Sequence, residues 1–222
     1  MRFRSAALTV VIFAVAMAFV ESAVVVYLQR ALAITPDQLF PLVSADVLGS
    51  LGAIEVGREG ATLVMLVAVG CLGGRRWVDR LAWTAVAFGV WDIGYYVWLW
   101  VFIGWPHSPG TWDVLFLIPA PWTGPVWAPV AVSSALIAFG LAAAYRTGAG
   151  RPPRIGRAVV LVSSLGGAVV VSSFLANGPA LLNGGLPGWY PWPVFWLGVA
   201  MASLAAIVAL REGARNGPPT AS

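Results

Sequence analysis

The chain has 222 residues, 59% of them hydrophobic and only 10% charged, and every basic side chain is arginine. Apolar stretches of about 20 residues recur from one end to the other, which excludes a soluble domain and marks an all-α polytopic membrane protein. The net charge of +4 comes from arginines scattered between apolar runs, so it reads as an orientation code rather than a nucleic-acid footprint.

Six spans are predicted, at 5–28, 50–72, 81–103, 114–145, 156–176 and 192–210. So little chain lies between them that the whole sequence is one integral membrane domain, a six-helix bundle. The first span follows Arg2 and Arg4, a pattern shared with cleaved signal peptides. A cut after Ala23 would place Glu21 where a small residue is needed, so a retained helix is expected. Its Ala14, Ala18 and Glu21 form a narrow face suited to close helix packing.

The loop from Gln29 to Gly49 contains Thr35-Pro36-Asp37, and Thr35 or Asp37 is expected to cap a short helix along the outer surface. In the second span Glu55 and Glu59 are four residues apart, on a face shared with Gly52 and Thr62, with Arg58 beside them. In the third, Asp92 stacks over Tyr95 and Tyr96 one turn on.

The fourth segment is too long and too interrupted for one straight helix. Pro119, Pro121, Pro125 and Pro129 remove backbone donors near its outer end. A broken helix or re-entrant turn between Asp113 and Pro129 is expected, with a proline kink as the simpler alternative. On the fifth span, Ser164, Ala168 and Ser172 make a small-residue face. Trp105, Trp112, Trp189, Tyr190 and Trp192 belong to the aromatic belt of a headgroup boundary in this tryptophan-rich chain.

Arginine placement orients the bundle. Eleven of the thirteen, all but Arg30 and Arg58, fall on one side of the predicted spans, which implies six crossings with both termini in the cytoplasm, N-in and C-in. The expected location is the cell membrane, the bacterial cytoplasmic membrane in particular.

That orientation turns five acidic residues toward one membrane face. At 1.5 Å per residue, Glu21, Glu55 and Glu59 lie roughly 8 to 14 Å below the outer boundary and Asp92 roughly 15 to 18 Å, while Asp113 is near the surface. Intramembrane carboxyl groups are costly and mark functional sites. Glu21, Glu59 and Asp92 are therefore the candidate proton-transfer groups, and Tyr95, Tyr96 and Arg58 the candidate ligand- or cofactor-binding groups. If a metal binds, Glu21, Glu55, Glu59, Asp92 and Asp113 supply oxygen ligands suited to a hard divalent ion. Plainer roles also fit: Glu55 and Glu59 suit the positive end of a helix beside Arg58 or Arg30, Asp113 suits a cap, and Tyr95 and Tyr96 can simply donate to Asp92.

Several chemistries are excluded. The single His107 is in a loop, so bis-histidine haem, helical Glu-x-x-His di-iron and His-Glu-x-x-His zinc sites are absent. No lysine is available for a Schiff base, no phosphate loop or Gly-x-Ser-x-Gly turn occurs, and the lone Cys71 rules out an internal disulfide. Three classes remain. The first is an outward-facing carboxylate/tyrosine pocket that binds a cation or does proton chemistry on a lipid-soluble ligand. The second is an accessory subunit held to a membrane-protein partner. The third, a proton- or cation-coupled carrier, ranks last because the inner half lacks matching ionisable groups.

Overall fold

The structure is a computed structural model that describes residues 3–31, 33, 45–118, 120–178 and 188–215. Among them are six helices: α1 (Phe3–Ala31), α2 (Ala45–Gly73), α3 (Trp77–Ile103), α4 (Trp127–Gly148), α5 (Arg157–Leu175) and α6 (Trp192–Arg215). All six contain stretches long and apolar enough to cross a bilayer, and large side chains such as Leu8, Ile12, Val64, Leu72 and Leu204 are exposed on their outsides. Apolar residues turned outward all round a bundle need lipid as their solvent, so the chain is a multi-pass membrane protein.

Helix α3 is the centre of the packing. Along α1, Ala6, Val10, Ala14 and Ala18 recur every four residues and are almost fully buried against Trp83, Val86, Ala87 and Trp91 of α3. Small side chains at this spacing let the two backbones approach, which is how helices associate where lipid supplies no hydrophobic drive. A Cβ added to Gly94 would come within 2.9 Å of the Ala18 Cβ. The two helices run parallel, with Phe3 beside Trp83 at one end and Ser22 bonded to the Tyr95 carbonyl toward the other. Helices α2 and α4 pack antiparallel to α3, α4 through Gly89 and Gly140, where added Cβ atoms would meet the backbones of Ser133 and Ala82.

Helices α5 and α6 form a second pair. They cross at Gly166 and Gly198, where any Cβ would lie within 2.8 Å of the facing backbone. The pair joins the rest through aromatic stacking, Trp122 on Phe174 and Trp127 on Trp192. Alternating helix direction collects Arg4, Arg75, Arg76, Arg80, Arg146, Arg151, Arg154, Arg157 and Arg211 at one end of the bundle.

The opposite end differs from the sequence expectation. Residues 114–125 are not the start of a fourth span: β1 (Trp112–Phe116) and β2 (Trp122–Pro125) form an antiparallel hairpin, and α4 begins only at Trp127. Prolines at 121 and 125 cannot supply helical donors, whereas the extended β1 segment, with Trp, Val, Leu and Phe, suits a pleated strand. Asp113 faces Gly124 and Val114 faces Thr123, and a register shift between Val114 and Phe116 bends β1. Val126 and Trp127 close the base of the hairpin by donating to the carbonyls of Thr111 and Pro109. Pro129 sits in the first turn of α4, where no intrahelical donor is needed. The surface helix expected after Thr35 or Asp37 lies outside the described residues.

The glycine crossing of α5 and α6 can be tested directly. Gly166→Leu should lower the melting temperature, because overpacking a close backbone contact costs about 1 to 3 kcal/mol. Gly167→Ala, at a position with open space around it, should leave it unchanged or slightly higher. Thermal unfolding of both variants in detergent provides the check.

Candidate functional site

At the hairpin end, α1, α2 and α3 bring polar side chains into an otherwise apolar bundle. The Arg58 guanidinium of α2 sits between two carboxylates: Nη1 pairs with Glu21 of α1, while Nε and Nη2 donate to Glu55 Oε2 at 2.8 and 2.6 Å. One helical turn separates Glu55 from Arg58, so that second contact is local, whereas Glu21 is brought in only by α1–α2 packing. Thr62, one turn beyond Arg58, donates to the other Glu21 oxygen at 3.2 Å. Glu21, Glu59 and Thr62 are all buried.

Glu59 faces the hairpin instead. Both of its carboxylate oxygens accept the Leu117 backbone N–H at 3.0 Å, immediately after β1. Leu117 has no strand partner for that donor, and an N–H left unpaired away from water costs several kcal/mol. A side chain of α2 thereby closes the open edge of a sheet.

On α3, Asp92 is buried and accepts a 2.8 Å bond from Ser133 of α4. One turn on, Tyr96 donates its hydroxyl to Asp113 of β1 at 3.1 Å, and the second Asp113 oxygen accepts its neighbour's N–H, Val114, at 2.8 Å. Burial pushes the Asp113 carboxyl up from its ordinary 3.8 to about 7; the bonds from Tyr96 and Val114 act the other way, and the charge of Asp92 adds to the rise. Tyr95 packs edge-on against Tyr96 with ring centres 5.1 Å apart, and it interacts electrostatically with both Asp113 and Arg58. It lies between the α1–α2 group and the α3–hairpin group.

The five acidic residues singled out in the sequence thus share one end of the bundle, but they do not form one metal centre. Among the described residues no three of His, Cys, Asp and Glu gather closely enough to hold an ion. Each carboxyl is already met by a protein donor: Arg58 for both Glu21 and Glu55, the Leu117 amide for Glu59, Ser133 for Asp92 and Tyr96 for Asp113. Oxygen atoms engaged in this way are not free to converge on a hard divalent cation. Arg58, expected to contact a ligand, is occupied by two carboxylates of its own chain.

Ser133 and the Leu117 amide were not legible as partners. Ser133 is one of two adjacent serines in α4; it is buried against Asp92, while Ser134 is exposed and bonds back to the Val130 carbonyl at 2.7 Å. Only the α3–α4 crossing decides which of the two meets the acid. Compared with protein-family models, curated proteins and solved structures, the chain matches none.

Two measurements probe these contacts. Ser133→Ala should cost about 1 to 3 kcal/mol, since it strands a buried acceptor. Asp92→Asn and Ser133→Ala together should cost less than the two single losses added, a coupling read from a double-mutant cycle of unfolding free energies.

The second concerns pH. Because the folded Asp113 holds its proton more tightly than the unfolded chain does, its contribution to stability is greatest at low pH and falls as pH rises from 3.8 to about 7. Unfolding midpoints of wild type and Asp113→Asn followed across that window should differ in slope, with the variant lacking this decline. Parallel profiles would contradict a proton-holding Asp113.

Proposed function

We propose that the hairpin end of the bundle is a proton-exchanging pocket, open toward the outer face of a bacterial cytoplasmic membrane and serving a lipid-soluble ligand. Glu21, Glu59 and Asp92 are its proton-carrying groups, and Tyr95 and Tyr96 its polar wall. The observation that carries the reading is charge balance. Among the described residues, five carboxyl groups gather here and only two of them, Glu21 and Glu55, pair with a guanidinium, that of Arg58. A low-dielectric site does not hold so many carboxylates ionised against one cation, so the surplus is neutralised by protons or by a bound cation. Protein donors already engaged with each acid favour protons over a shared metal ion.

Orientation follows from the arginines. Their collection at the opposite end supports both termini in the cytoplasm and the hairpin outside. A second reading, an accessory subunit, is favoured by the exposure of Ser164, Ala168 and Ser172 along α5, a small-residue face to which another helix can pack closely.

Orientation is checked by cysteine labelling from outside intact cells after the native thiol is removed with Cys71→Ser. Ser108→Cys should be modified and Ser5→Cys spared; the reverse would overturn the topology and the pocket's direction. The pocket itself is tested with Glu59→Gln. Wild type purified in mild detergent should carry a lipid-soluble compound, detected by mass spectrometry of an organic extract, and the variant should lose it while remaining folded. Loss of a co-purifying protein instead would favour the subunit reading, and a variant unchanged in both respects would refute the pocket.

A further inference from the structure

A second recognition site lies on the other flank of the hairpin, where no carboxyl group takes part. Trp112 of β1, Trp127 of α4, Trp192 of α6 and the preceding Trp189 and Tyr190 surround an open cleft of about 280 Å³. Its walls are rings set at steep angles to one another. Trp112 and Tyr190 meet at 75° with centres 6.0 Å apart, Tyr190 and Trp192 at 64° and 4.5 Å, and Trp127 stacks on Trp192 at 4.1 Å. Pro125, Gly110 and Gly188 complete the lining.

Three features decide what such a cleft takes. Among the described residues no charged side chain lines it, so these offer neither a partner for an anion nor the oxygen shell that a small hydrated metal ion requires. Aromatic faces carry partial negative charge and attract cations that shed water readily, above all quaternary ammonium groups, which several rings can enclose. The volume lies at the small end of ligand pockets, the scale of a headgroup rather than a drug-sized molecule.

We propose that this aromatic cleft binds a trimethylammonium group, either free in solution or on a lipid headgroup. The site is separate from the proton-exchanging pocket and does not rest on it. Trp189, 68% exposed, is free to adjust over the cation, whereas Tyr190 is fixed from behind by its hydroxyl contact with Ser173 at 2.9 Å.

The full-length protein in an uncharged polyoxyethylene detergent should be titrated with choline chloride, with tryptophan fluorescence and calorimetry as readouts and sodium chloride at matched strength as reference. Choline should bind saturably. Its neutral isostere, in which carbon replaces the quaternary nitrogen, should bind about tenfold more weakly or worse, since the ring attraction depends on charge. Trp189→Ala and Trp127→Leu should each weaken choline by a similar factor. Trp189 is the safer variant for folding, because most of its surface is already exposed. Glu59→Gln should leave choline binding unchanged, which separates this site from the carboxyl pocket. In nanodiscs, competition by phosphatidylcholine but not phosphatidylglycerol would identify a headgroup as the source, while undiminished choline binding in both would identify the free cation. Equal binding of choline and its neutral isostere, preference for a neutral sugar, or full binding by the Trp189→Ala, Trp127→Leu double variant would overturn the assignment and leave the rings as an interfacial anchor.

Discussion

A carboxyl group inside an apolar bundle has to be met by a donor that the protein itself provides, because hydrocarbon offers none. Here that constraint is satisfied for five carboxyl groups by four donors, Arg58 serving both Glu21 and Glu55. Arg58 reaches Glu21 across the α1–α2 contact, Ser133 reaches Asp92 across α3–α4, and Tyr96 and Glu59 reach the hairpin from α3 and α2. The polar contacts therefore run between elements more than within them. Together with the small-residue faces they set which helices are neighbours and how the hairpin sits on them.

The hairpin depends on the same economy. An isolated two-stranded ribbon is marginal in water, and in a membrane its edges are worse, since each unpaired amide is buried without a partner. Glu59 closes one such gap by giving both oxygens to Leu117. Aromatic rings cover much of the rest: Phe116 lies near Trp91 and Trp122, and Trp122 stacks on Phe174 of α5. The α5–α6 pair is thereby attached to the other helices through the hairpin end, by rings that have the same neighbours as the polar groups without bonding to them.

Two chemistries thus occupy one end of the bundle. On one flank, carboxyl and phenol groups meet among α1, α2, α3 and β1; on the other, indole rings frame an open cleft between the hairpin, α4 and α6. Trp112 and Asp113 are consecutive residues, and strand alternation sends their side chains to opposite faces. A single strand thereby contributes to both environments. The opposite end of the protein carries arginines instead.

Much of this was legible in the sequence because the bilayer reduces the choices. Apolar length by itself implied six spans, since a stretch long enough to cross hydrocarbon has no equally good use elsewhere, and the acidic residues stood out because so few ionisable groups interrupt those spans. Two things lay beyond it. Three prolines showed that 114–125 could not be regular helix, yet a kink, a re-entrant turn and a hairpin all satisfy that condition locally; only pairing of Val114 with Thr123 and capping of Leu117 by Glu59 select the hairpin. Likewise, helical periodicity put Glu55, Arg58 and Glu59 near one another, but whether five acids converge on one point depends on lateral helix order and rotation, which no single span encodes. Packing in three dimensions gave each acid a protein donor, and among the described residues no three ligand-type side chains gather closely enough to hold a metal ion.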